Sequence, residues 1–147
     1  MEHHREQQVW QRVMGQQQAP PASGLQGLIR ESAELAGIYR RFAEALPGRE
    51  KQLARQLLEQ ESANTARLRG IALLSGETGE LLRHWEPVSS PGTPLLLKAY
   101  HRSLRCRAEY AARCLDPEYG EVYRELSERQ GQQCGRIAEL LGRIQER

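Results

Sequence analysis

The strongest constraint in this sequence is a set of four apolar stripes at helical spacing, each of which turns polar near its middle. Stepping three and four residues alternately follows one face of a helix. The first such face reads Leu25, Leu28, Ser32, Leu35, Tyr39, Phe42, Leu46, and the second Leu53, Leu57, Glu61, Asn64, Leu68, Ile71, Leu74. The third reads Leu96, Ala99, Ser103, Cys106, Tyr110, Cys114, and the fourth Tyr119, Tyr123, Leu126, Gln130, Gln133, Ile137, Leu140, Ile144. Two stripes are interrupted by one serine, and two by a polar pair spaced i, i+3, whose members share a face one turn apart. Packed together, the four faces would gather these six polar side chains at the waist of one bundle. An unpaired buried polar group costs about 1–3 kcal/mol, so such a layer must be mutually hydrogen-bonded or hydrated.

Punctuation between the stripes sets the helix boundaries. Ser23 and Gln26 have the form of a capping box, and Pro47 and Gly48 close the first helix. The second helix is expected over residues 49–75, with Gly76 as the residue after its C-cap. Residues 76–92, with Trp85, Pro87 and Pro91, read as a loop. Thr93 and Pro94 supply an N-cap and a first-turn proline for the third helix, and Asp116 and Pro117 repeat that device for the fourth. Helices of these lengths span roughly 30–40 Å. Short, long and short connections predict an antiparallel four-helix bundle, two helical hairpins joined by a crossover loop. Composition agrees with an all-α domain, since aromatic residues make up only 5% and strong helix formers dominate. Residues 23–147 form the expected bundle. Residues 1–22 read as a Gln-rich leader, flexible or short-helical, in which Val9, Trp10 and Val13 share a helical face.

Charge and cysteine usage narrow the functional classes. With 21 basic and 19 acidic side chains the net charge is +2, which argues against nucleic acid as a partner. Lys98, His101, Arg102, Arg105, Arg107 and Arg113 crowd one stretch, read as a solvated helix face. Cys106, Cys114 and Cys134 lack CxxC spacing and read as reduced thiols, Cys106 and Cys134 as small core residues. No apolar run approaches the ~20 residues that span a bilayer, and the leader has no apolar signal region, so no membrane role and a cytoplasmic location are expected. Phosphate-binding glycine loops, nucleophile elbows and Ser–His–Asp arrangements are absent, and no catalytic residue is assigned. His3, His4, His84 and His101 fall off the stripes and are given no metal role.

The chain also repeats itself. Ser32 and Tyr39 lie seven apart, as do Ser103 and Tyr110, at an offset of 71. Leu57, Glu61 and Asn64 correspond to Leu126, Gln130 and Gln133 at an offset of 69. The repeat therefore pairs the polar interruptions themselves.

Residues 25–76 and 100–141 resemble the two halves of ferritin-like, rubrerythrin-type bacterial proteins. The phrases carrying the resemblance are ESAELAGIYRRFAEALPG, LLEQESANTARLRGIALLSGE and YRELSERQGQQCGRIAELL. In that family one helix of each half gives a Glu seven residues before a Tyr, and the other gives a Glu-x-x-His pair. Together these hold two iron or manganese ions. Carried over by position, the resemblance puts the six ligand positions on Ser32, Glu61, Asn64, Ser103, Gln130 and Gln133, of which only Glu61 keeps the expected type. Glu31, Glu34, Glu109 and Glu128 lie nearby in sequence but off the stripes, and are expected to face outward. No metal and no cofactor are therefore expected. Glu61 is left to be protonated, bonded to an amide, or paired with a basic residue.

The resemblance thus implies a non-catalytic ferritin-like domain with a degenerate di-metal site and a binding or assembly role. Leu73, Leu81 and Leu82 are candidate contacts to a protein partner or to a second copy in a homodimer. The alternative is a rubrerythrin-type metal-binding oxidoreductase or iron-handling protein that keeps Fe or Mn with a rearranged ligand set. A third reading is a small-ligand pocket at the waist.

Overall fold

The computed structural model describes residues 24–77, 87 and 89–145. Four helices make up the described chain: α1 (Leu25–Ala45), α2 (Gly48–Leu74), α3 (Thr93–Ala112) and α4 (Gly120–Gln145). The described residues contain no strand. The leader, the Ser23 cap, His84, Trp85, Leu81 and Leu82 lie outside them.

The helix ends follow local chemistry. At the end of α2, Gly76 takes φ +75°, a left-handed conformation that a Cβ would strain. Its N–H bonds the Leu73 carbonyl, and the Glu77 N–H reaches back to Ala72. This pair of bonds is the Schellman closure. Asp116 caps the approach to α4: its Oδ1 accepts from the N–H groups of Glu118 (2.9 Å) and Tyr119 (2.8 Å). Gly120 then sits so close to the carbonyl of Cys114 that any side chain there would collide. At α3 the outcome differs from the expected Thr93 cap. Gly92 is the N-cap, Thr93 is already helical, and no side chain caps the turn. The Pro94 in the first turn supplies the stop instead, because it needs no partner for a missing N–H.

Each helix packs on two neighbours. α1 lies mainly against α2 and α3 mainly against α4, with α1 also meeting α3 and α2 meeting α4. Partners across the α2/α4 contact run in opposite order, Arg49 with Glu139 and Arg67 with Glu125, so these two helices are antiparallel. The short 46–47 connection makes α1 and α2 antiparallel, and the Arg113–Tyr123 cation–π contact (5.6 Å) with the Ser127–Arg107 bond does the same for α3 and α4. α2 and α3 therefore point the same way.

The stripes form the core. Leu35, Tyr39, Leu57, Leu68, Leu96, Tyr110, Leu126, Ile137 and Leu140 are fully buried. Each large apolar side chain so buried contributes about 1.5–3 kcal/mol. One stripe residue departs: Leu74 is 77% exposed. It lies 13 residues beyond Glu61, whereas α4 begins 10 residues before Gln130 and α1 begins 7 residues before Ser32. At 1.5 Å per residue, α2 outruns the helices that would have covered it.

Candidate functional site

All six interrupting residues are brought together and fully buried: Ser32, Glu61, Asn64, Ser103, Gln130 and Gln133 each have no exposure. They meet because Ser32 on α1 and Glu61 on α2 are level with Ser103 on α3 and Gln130 on α4. Ser32 Oγ contacts Glu61 Oε2 at 2.6 Å and Thr65 Oγ1 at 2.8 Å, and Thr65 donates to the Glu61 carbonyl at 3.0 Å. In the other half Gln130 Nε2 donates to Ser103 Oγ at 2.6 Å, and the Cys134 thiol lies 3.4 Å from the same oxygen. The halves are joined by Gln130 Nε2 to Glu61 Oε1 (3.2 Å) and by Asn64 Nδ2 to Gln130 Oε1 (3.2 Å).

The Gln133 amide admits two orientations. With its nitrogen inward it donates to Glu61 Oε1 at 3.1 Å and to Gln130 Oε1 at 3.0 Å, and its oxygen accepts from the Glu61 N–H at 3.1 Å. Turned the other way it keeps only a 3.5 Å approach to the Leu57 carbonyl. We assign the first orientation, which also makes Gln133 to Glu61 the counterpart of Asn64 to Gln130. The sequence repeat is thus a structural two-fold relation: Ser32–Glu61–Thr65 in one half matches Ser103–Gln130–Cys134 in the other.

Thr65 is the layer residue that stripe-walking misses, since it stands one position past Asn64. The repeat carries a signal for it, because Thr65 and Cys134 share the offset of 69.

Among the described residues the layer holds one ionisable carboxyl and no basic side chain. Burial pushes the Glu61 carboxyl up from 4.5 to about 7, against the opposing hydrogen bonds from Ser32, Gln130 and Asn64 and with a smaller push from the like charge of Glu31. Burial also raises the Tyr39 and Tyr110 phenols and the Cys106 thiol, with Glu61 adding to each. Tyr39 approaches Ser103 and Tyr110 approaches Ser32, yet neither phenol oxygen reaches hydrogen-bonding geometry, and Asn64 Oδ1 is likewise unpaired.

Outside the layer, Arg102 corrects the reading of its stretch as a solvated face. It is 9% exposed and grips Glu31 with both ends of its guanidinium, Nε to Oε1 at 2.6 Å and Nη2 to Oε2 at 3.0 Å. Glu34 joins at 3.5 Å. Glu31 and Glu34 are consequently half-buried rather than outward-facing, held between α1 and α3 by a bidentate clamp. Glu109 is half-buried, and Glu128, Lys98 and His101 are exposed.

The donor set does not fit a di-metal centre. Two divalent ions bring four positive charges, and the layer offers a single carboxylate with neutral amides and hydroxyls. Among the described residues no three His, Cys, Asp or Glu side chains cluster. The amide hydrogens of Gln130 and Asn64 point at acceptors inside the layer, occupying the space in which a cation would need oxygen or imidazole ligands. Comparison with protein-family models, with curated proteins and with solved structures finds no match to this chain.

Proposed function

We propose that this chain is a non-catalytic ferritin-like domain whose di-metal positions have become a closed hydrogen-bonded layer, leaving the fold to a binding or assembly role. The observation that supports this most is the mutual pairing of Glu61 and Gln130. Equivalent positions in two halves, which the family resemblance would fill with two metal-bridging carboxylates, are joined to each other by an amide-to-carboxyl hydrogen bond. The helix order supports the ferritin-like part of the reading, because α2 and α3 running the same way is the arrangement of bundles with one long crossover. The assembly part draws on one end of the bundle, where Leu73 (79% exposed), Leu74 and Leu115 (93% exposed) stand near the C-terminal ends of those two helices.

The test is restoration. A variant carrying Ser32→Glu, Ser103→Glu, Gln130→Glu, Asn64→His and Gln133→His should take up about two Fe²⁺ or Mn²⁺ ions per chain if the positions descend from such a centre. A variant that stays helical and folded but takes up neither ion would overturn the ferritin-like mapping.

A further inference from the structure

Glu61 and Gln130 stand at equivalent places, and each meets the serine of its own hairpin at 2.6 Å. In the Gln130 half the direction of that bond is fixed, because the amide nitrogen carries the hydrogens and Ser103 must accept. In the Glu61 half the direction is open: the serine donates to a carboxylate, or accepts from a carboxylic acid.

Three features of the site choose between them. First, Glu61 Oε1 accepts N–H groups from both Gln130 (3.2 Å) and Gln133 (3.1 Å), while Oε2 faces only the hydroxyl, so Oε2 is the oxygen with room for a proton. Second, the Ser32 hydrogen has another destination. Ser32 Oγ lies 2.8 Å from Thr65 Oγ1, and Thr65 in turn donates to the Glu61 carbonyl, so the run Glu61–Ser32–Thr65–carbonyl accommodates one added proton by turning the Ser32 hydroxyl from Glu61 to Thr65. Third, among the described residues no cation faces the carboxyl. From α1 it is faced by Tyr39 and, further off, by the like charge of Glu31. From α3 it is faced by Cys106 and Tyr110, with Arg102 turned to Glu31; from α4 come the neutral amides of Gln130 and Gln133, with the Cys134 thiol turned to Ser103. An ionised Glu61 would be a lone charge in a closed core.

We propose that the layer is a binding site for one proton: in the folded chain Glu61 is held as the neutral acid, donating from Oε2 to Ser32 Oγ as Gln130 donates to Ser103. The proton takes the place that the amide hydrogens occupy in the other half, and its release leaves the bundle folded but with a charge at its centre. This inference does not rest on the ferritin-like reading.

Carboxyl-carbon NMR of the ¹³C-labelled full chain, titrated between mildly acidic and mildly basic pH, tests it. One glutamate side-chain carboxyl should titrate at about 7 and be missing from the spectrum of Glu61→Gln. Absence of any glutamate titrating above ~6 would overturn the proposal, as would a high-titrating signal that survives Glu61→Gln. If that variant fails to fold, the wild-type titration decides alone, since the high-titrating signal is either there or not.

Discussion

Gln130 donates from Nε2 to Glu61 Oε1 at 3.2 Å, so the two halves of the bundle are tied at their centre by an amide and a carboxyl of equivalent position. The same amide nitrogen reaches Ser103 at 2.6 Å, and its oxygen accepts from Asn64 at 3.2 Å. Gln130 is thereby the node of the layer, and Glu61 its titratable carboxyl.

Stability should fall as pH rises from about 4.5 through 7. Glu61 sits above its unfolded value of 4.5, at about 7, so between those limits the folded chain holds a proton that the unfolded chain has lost. The unfolded state then binds fewer protons, and the slope of unfolding free energy against pH is negative. The stabilisation is fully present below 4.5 and gone above the folded value, a change of about 3 kcal/mol. Urea unfolding at pH 5 and pH 8 measures it. In Glu61→Gln this component should vanish, because a glutamine at that place can donate to Ser32 at any pH.

Gln130→Leu should destabilise the bundle by about 2–4 kcal/mol, because it strips partners from Glu61, Ser103 and Asn64 together. Chemical denaturation compares it with wild type. A cost below about 0.5 kcal/mol would mean that the bonds of the layer contribute nothing net.

Arg102→Leu leaves Glu31 and Glu34 half-buried without their shared cation, and is expected to cost about 1–3 kcal/mol. Arg102→Lys should recover only part of that, since an ammonium cannot hold both oxygens of Glu31. Thermal melts of the two variants at one pH separate the charge from the fork.

Leu74→Glu and Leu115→Glu change exposed positions and should leave stability within about 0.5 kcal/mol of wild type. If that end of the bundle is an assembly surface, sedimentation velocity across a concentration series will show the wild type associating and the double variant monomeric. Identical sedimentation of the two, with the wild type a monomer throughout, would remove self-assembly through this end.

The helices and all six layer positions are legible in the stripes, because a period of 3.6 residues marks a buried face whatever it carries. A polar break in such a face must be shared by its neighbours. Three things are hidden from the pattern, each for a physical reason. Arg102 reads as solvated because its partners Glu31 and Glu34 sit on another helix, 71 and 68 residues away in sequence. Leu74 reads as buried because a stripe records which face points inward, not how far the adjacent helices extend. Thr65 escapes because its hydroxyl enters the layer from beside the stripe, where it completes the hydroxyl run from Ser32. Which groups carry the hydrogens lies beyond the pattern altogether, since Glu61 and Gln130 differ there only in the atom that faces serine.

The most direct test of a closed layer in place of a metal centre is elemental analysis of untagged chain after incubation with Fe²⁺ and Mn²⁺ and removal of free ions. A closed layer predicts a folded, helical protein with far less than one ion per chain, because one carboxyl among amides and hydroxyls cannot neutralise two divalent cations. About two ions per chain, lost again in Glu61→Gln, would contradict it and return the oxidoreductase reading to first place.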